Sequence, residues 1–453
     1  MRIPSTSSFA PRRNADTQPS RSESQHLISL ICFVIAITLG FGTRASTADD
    51  LTSVDGKYIR LVTDLPPSDS LKSYVASFDE AVPLWLEYWS REKTSVDGWR
   101  MTGYLMTEKA EFQRRGLIPN ELPDFPNGYQ RGEKLWVVNQ PSDFYTLHLL
   151  LHEGAHGIAE KLFGGAGPPW YMEGTAEYLA THAHGETGLQ IGIIPASREV
   201  SPYWGRLGLI ADRRRESKMP TIETVMRYGD TAHREVEPYA WSWVAATLME
   251  MYPEYRDRFR AAATKGRDSS PQFTRQFYQD LSVQWPVVSA RWQLLCNDLE
   301  YGFDRDRNRV MLKTSPLLTN DAVTMRLATD QGWQSAPVSV QQGQRLIIEA
   351  AGRYQLQTDP KWKSEANGVT IDYYRGIPLG RVVACFVPQA ILNSPYMPKL
   401  EIVSIGAKGE TVAPCDGWML LKVNDRPSNL ADNSGSLDLR LQLAGREVGR
   451  EKP

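Results

Sequence analysis

The chain has 453 residues, of which 41% are hydrophobic and 10% aromatic, enough for two or three domains with cores of their own. Its 51 Lys and Arg nearly balance its 53 Asp and Glu, leaving a formal charge of -2. With that balance and no Lys/Arg cluster interleaved with aromatics, the sequence argues against a nucleic-acid partner.

The first 48 residues read as a secretory signal peptide. Arg2, Arg12, Arg13 and Arg21 precede the apolar run Leu27–Phe41, and the small residues Ser46-Thr47-Ala48 offer cleavage after Ala48. This predicts a secreted, periplasmic or cell-surface protein with no membrane span left after cleavage. The charged leader is long, so an uncleaved signal anchor is the alternative, although the run is short for a bilayer. Cys32 would leave with the leader; of the remaining Cys296, Cys385 and Cys415, the last two both lie in the C-terminal region, where a bridge between them is open.

Beyond the leader, Tyr58–Thr63 alternates as a strand, and Leu71–Trp89 carries helical spacing at Tyr74, Phe78, Val82, Trp85 and Trp89, with a kink expected at Pro83. Trp99–Met106 and Leu135–Asn139 read as further strands, the second ended by Pro141, with Ser142 or Asp143 as the N-cap of the next helix. That helix and a second one over Trp170–Tyr178 flank a Gly/Pro-rich turn at Gly164–Pro169. Arg198–Gly302 is mainly helical, with apolar periodicity near Leu207–Ile210, Trp241–Met251 and Trp292–Leu299. Past Asp304 the texture changes to period two: Val323–Leu327, Val338–Val340, Arg345–Ala350, Trp418–Val423 and Leu437–Leu441 alternate between Gly, Pro and Asn turns. The predicted fold class is therefore α+β and multidomain, a mixed sheet with a helical subdomain over 49–312 followed by an antiparallel β-sandwich over 313–453.

The first helix of the turn-linked pair contains His152-Glu153-Gly154-Ala155-His156, the HExxH pattern. Residues four apart on a helix lie one above the other, so both imidazoles can reach one ion about 2.0–2.1 Å away, with Glu153 beside them as the general base. A third ligand has to come from elsewhere, and the second helix offers Glu173. His148 lies one turn earlier, about 12 Å of helix from His156 at 1.5 Å per residue, too far for all three to share an ion, and reads as packing or substrate-side. His182 and His184 read as surface residues ending the second helix. The alternative for the whole pattern is a helix whose histidines only pack.

His-Glu-x-x-His followed by a helix with Glu-Gly-x-Ala resembles the gluzincin metallopeptidases. The resemblance implies zinc held by His152, His156 and Glu173, with Glu177 orienting a ligand histidine from behind. It implies catalysis by Glu153, an oxyanion donor from the downstream helix, for which Tyr239 and His233 compete, and a mixed sheet ahead of the motif whose edge strand pairs with a peptide or protein substrate. Leu135–Asn139 is the candidate for that edge; an ordinary core strand is the other reading.

In the C-terminal region, Asn424-Asp425 followed by Asp432-Asn433-Ser434-Gly435 is similar to the calcium loop of the bacterial galactose-binding lectins of the PA-IL type. That likeness implies side-chain oxygens from Asp425, Asp432 and Asn433 and the backbone carbonyl of Asn429 on Ca²⁺, hard ligands suited to it, and carbohydrate as a partner. An Asx-rich hairpin turn without metal is the alternative. The sequence thus leads to a secreted zinc peptidase with a calcium- or sugar-binding sandwich; its rivals are a cell-surface binding protein with an inactive peptidase-like domain and a zinc hydrolase acting on another bond.

Overall fold

The computed structural model describes residues 51–229, 235–319, 321–390 and 393–444. The leader reading, including Leu27–Phe41, and His233 lie outside them. Strands β1 (Thr52–Asp55) and β2 (Ile59–Thr63) lead into helix α1 (Asp69–Tyr88), followed by β3 (Met101–Met106), α2 (Lys109–Arg114), β4 (Gly128–Arg131) and β5 (Lys134–Val138). Helices α3 (Asp143–Phe163) and α4 (Pro169–Ala180) precede the hairpin β6 (His182–Gly185) and β7 (Gly188–Ile191). Then come α5 (Arg206–Arg215), α6 (Ile222–Val225), α7 (Val236–Met251), α8 (Pro253–Ala262), α9 (Pro271–Asp280) and α10 (Trp285–Asp298).

The first five strands form one sheet in the order β1-β2-β3-β5-β4. Its centre is parallel, with Tyr104 beside Trp136 in register and their rings stacked 5.9 Å apart, while β1 and β4 pair antiparallel at the two ends. This corrects the assignment of Leu135–Asn139 as an edge: β5 lies between β3 and β4, and the edge is β4. The apolar Leu135-Trp136-Val137 is what an interior strand needs, whereas Gly-Tyr-Gln-Arg suits a strand with one open side. Helix α1 continues through Pro83 as one element and packs Phe78, Val82 and Trp85 into the core shared with α3.

Ser142 caps α3, its hydroxyl accepting from the Tyr145 N–H at 3.1 Å, and Pro169 opens α4, where its missing N–H costs nothing. Helix α4 then crosses α7 at close range. A Cβ on Gly174 would lie 2.5 Å from the carbonyl oxygen of Ser242, so the glycine of the Glu-Gly-x-Ala segment is there to let two helix backbones approach.

The remaining strands are β8 (Val323–Ala328), β9 (Gln334–Val340), β10 (Arg345–Ala351), β11 (Arg353–Gln357), β12 (Trp362–Glu365), β13 (Asn367–Tyr374), β14 (Ile377–Pro388), β15 (Val403–Ser404), β16 (Lys408–Val412), β17 (Gly417–Val423) and β18 (Ser436–Leu443). They build two main antiparallel sheets, β16-β10-β18-β8 and β13-β14-β17-β9 with β15 paired to β14, and a two-stranded sheet of β11 and β12. Strand β17 is buried along its whole length because its two faces serve different cores. Met419, Leu421 and Val423 point to the other sheet, while Trp418 and Leu420 join Val383, Cys385 and Val387 of β14 against Ala290 and Leu294 of α10. Cys296, Cys385 and Cys415 are free thiols. No helix among the described residues is long and apolar enough to cross a membrane.

Candidate metal centre

Helices α3 and α4, folded against each other by the Gly164–Pro169 turn, bring His152, His156 and Glu173 together, with ligand atoms all within 4.8 Å of one another. The triangle is tighter than that limit. His152 Nε2 lies 3.1 Å from Glu173 Oε2 and 3.1 Å from His156 Nε2, and His156 Nε2 lies 3.5 Å from Glu173 Oε2. Tetrahedral bonds of about 2.0–2.1 Å to zinc place ligand atoms about 3.3–3.4 Å apart, so the donor set has the size and the chemistry to fit such an ion. These buried His and Glu groups can hold a metal ion.

The charge around the triangle supports the same fit. Glu153, Glu173 and Glu177 are all buried, and Arg206 brings a buried guanidinium to them, so that all four, when ionised, carry two net negative charges, the complement of one dication. Burial pushes the Glu153 carboxyl up to about 8; His156 opposes the shift, and Glu173 and Glu177 add to it. Burial works the same way on Glu173, but hydrogen bonds and charge from His152 and His156 outweigh it and hold this carboxyl at about 2. The two neighbouring carboxyls are thus shifted in opposite directions.

Behind the triangle, Glu177 reaches two imidazoles. Its Oε1 lies 3.5 Å from His152 Nδ1 and its Oε2 3.4 Å from His148 Nε2, and both oxygens accept from Arg206, at 2.9 Å from Nη2 and 3.2 Å from Nε. His148 is fully buried, with Nδ1 3.1 Å from the carbonyl oxygen of Ala180, and so belongs to this inner network and not to a substrate-facing surface. His182 also departs from its reading as a surface residue. Helix α4 ends at Ala180, and His182 opens β6, buried, with its ring stacked 4.5 Å from that of Phe144; His184 is exposed.

The Tyr239 ring centroid lies 5.8 Å from that of His152. Burial, then the carboxylates of Glu173, Glu153 and Glu177, hold its hydroxyl well above the ordinary phenol value, so it keeps its proton at neutral pH. The edge strand β4 meets the site at Gly128. A Cβ there would lie 2.5 Å from Glu153 Oε1, a contact that only glycine permits.

The loop between β17 and β18 holds Asp425, Asn429, Asp432 and Asn433 around a single helical turn, Leu430–Asp432. Asn433 donates to Asp425 Oδ2 at 2.9 Å and to the Thr329 carbonyl at 3.0 Å, Arg426 N–H donates to Asp425 Oδ1 at 2.7 Å, and the Asn429 carbonyl accepts from the Asp432 N–H at 3.3 Å. Asp432 Oδ1 and Asn433 Oδ1 are buried without a hydrogen-bond partner among the described residues. Burial, with Asp432 adding to it, pushes Asp425 up to about 6.

Arg206, His148 and Gly128 were not legible as site residues. Arg206 lies in a stretch without a motif, and Gly128 in a four-residue strand without apolar alternation. For His148 its position one turn before His152 was the available signal.

No family model and no curated protein matches the chain. Among solved structures, 28% of it is similar to the whole of the EclA N-terminal domain, described as a PllA-like lectin, at 12% identity and a TM-score of 0.22. Another 10%-identical likeness, at a TM-score of 0.18, covers 30% of the chain and the whole of Aeromonas hydrophila PliG, a periplasmic inhibitor of g-type lysozyme. Likenesses this slight carry no argument about fold or function.

Proposed function

We propose that the protein is a secreted zinc-dependent peptidase of gluzincin type, and the observation that carries this reading is the triangle of His152 Nε2, His156 Nε2 and Glu173 Oε2 with edges of 3.1–3.5 Å. Two ring nitrogens facing each other at 3.1 Å beside a carboxylate are a contact that a shared cation would stabilise. Zinc, when bound, supplies Lewis-acid polarisation of the scissile carbonyl and acidifies a water molecule. Glu153, beside the triangle, would take the proton of the attacking water and hand it to the leaving amine. The Tyr239 hydroxyl would donate to the oxyanion, and Glu177, 3.5 Å from His152 Nδ1, would hold that ring with Nε2 toward the triangle.

The choice of a peptide as substrate draws on β4. It ends the sheet, pairs antiparallel with β5 on one side, and comes against Glu153 at Gly128, so an extended chain added to its open edge runs past the base. Exchange of Glu153 for Gln tests the role of the base. Peptide hydrolysis is expected to fall by about 100-fold or more with zinc content unchanged, and activity equal to wild type would remove Glu153 from the reaction.

The orphaned oxygens of Asp432 and Asn433 favour a second element of the reading, a Ca²⁺ held with Asp425 and Asn429 in the sandwich, with carbohydrate as the partner of that region. Calorimetric titration of the full chain with Ca²⁺ tests it. An Asp425→Ala/Asp432→Ala variant that binds Ca²⁺ as well as wild type would move the site elsewhere.

A further inference from the structure

The second group of close metal-ligating atoms is His148, His152 and Glu177, again within 4.8 Å of one another. It shares His152 with the first triangle, and its members are buried. Both groups cannot be read as ion sites of the same kind, because Arg206 changes the second. Its guanidinium is buried and spans both oxygens of Glu177 in the forked geometry that a carboxylate accepts from arginine. A dication on Glu177 would sit against that fixed positive charge, whereas Glu173 meets His152 at its other ring nitrogen and faces two imidazole Nε2 atoms.

We infer that Arg206 is a positioning residue for the metal centre, anchoring the Glu177 carboxylate opposite His152 Nδ1 at 3.5 Å and thereby orienting the other ring nitrogen toward the ion. This deepens the zinc reading and rests on it. The arrangement needs Arg206 for two reasons. Glu177 is a buried carboxylate within 3.5 Å of His152 Nδ1 and 3.4 Å of His148 Nε2, and neither nitrogen has a hydrogen bond within ordinary limits among the described residues. Two long contacts leave the carboxylate free to tilt toward either ring, and the fork from Arg206 fixes the plane in which its oxygens lie. Second, Arg206 is the first residue of α5, and the Trp204 carbonyl accepts from its Nη1 at 3.5 Å, so the guanidinium is itself tied to the loop entering that helix. The ring of Tyr239 lies 5.7 Å from the Arg206 Cζ, which places the proposed oxyanion donor against the same anchor.

The test is a double-mutant cycle on the full chain, read as zinc affinity by competition with a chelator and as the visible spectrum of the cobalt-substituted protein. Arg206→Met is expected to weaken zinc binding about 10- to 100-fold, and Arg206→Lys, which keeps the charge but loses the fork, to fall in between. Because Arg206 acts through Glu177, Arg206→Met/Glu177→Gln is expected to bind zinc no more weakly than Glu177→Gln alone. The double variant also carries no unpaired buried charge, so it answers the question even where Arg206→Met fails to fold. In cobalt-loaded Arg206→Met the ligand-field bands shift, as a reoriented His152 ring requires and a merely destabilised protein does not. Wild-type affinity in Arg206→Met, losses that multiply in the double variant, or two zinc ions per wild-type chain would each overturn the inference while leaving the zinc reading intact. A wild-type chain that binds no zinc removes the reading beneath it.

Discussion

Glu153 and Gly128 show how little room the site leaves at the scale of a single residue. The carboxylate of Glu153 lies where a methyl group on residue 128 would have to be, so Gly128→Ala must move Glu153 or shift β4. Turnover is expected to slow by about 10-fold or more while zinc affinity stays unchanged, since the base is misplaced and no metal-ligating atom is displaced. Steady-state kinetics beside a chelator titration checks it, and an equal loss of both would mean that the edge strand supports the ligands as well as the base. The residues of the triangle were legible in the sequence because helical spacing alone brings His152 and His156 to one face, and Glu173 had its own motif. Gly128 and Arg206 were not, because they approach the site across long stretches of chain and neither is periodic with anything near it.

Among elements, the pairing of α4 with α7 sets where the helices that carry Glu173 and Tyr239 lie. Gly174 lies at the closest point of that crossing. Gly174→Ala is expected to destabilise the protein by about 1–3 kcal/mol through overpacking against the Ser242 carbonyl, which thermal unfolding measures. A stability equal to wild type would mean that α4 and α7 separate at no cost. Strands β2, β3 and β5 and helices α1, α3 and α4 followed from apolar period and cap chemistry, down to Ser142 and the Gly/Pro turn, whereas β1, α2 and β4 did not. The position of a strand within its sheet did not. An apolar Leu135-Trp136-Val137 fits an interior strand as well as a covered edge, and the strand that takes the edge is too short and too polar to announce itself. Strand β14 escaped for the opposite reason: buried on both faces, Val382–Val387 shows no alternation at all.

For the molecule as a whole, the sandwich and the helical region meet through α10, where Lys422 of β17 donates to Asp298 at 2.6 Å and Arg375 lies 3.2 Å from the other carboxylate oxygen. Burial would raise the Asp298 carboxyl, but Lys422, Arg375 and Arg214 outweigh it and hold it at about 2. Its folded value lies below its unfolded one, so this group's contribution to stability is complete above about pH 4 and is lost as pH falls from there toward about 2. Asp298→Ala leaves Lys422 buried without its carboxylate and is expected to cost about 3–5 kcal/mol in denaturant unfolding. It is also expected to flatten the acid limb of the stability curve between about pH 4 and 2; an unchanged limb would assign acid sensitivity to other carboxylates. Nothing in the sequence pairs residue 298 with residue 422, since one closes a helix and the other lies mid-strand 124 residues later.

A zinc peptidase requires that metal and peptide hydrolysis go together in the same chain. Cleavage of a mixed peptide library by the zinc-loaded protein, followed through chelation and zinc return, measures this in one series. Cleavage is expected to disappear with the metal, to return with it, and to be absent from Glu153→Gln carrying one zinc per chain. Cleavage that survives chelation, or a fully loaded wild-type protein that cuts no peptide, would contradict it.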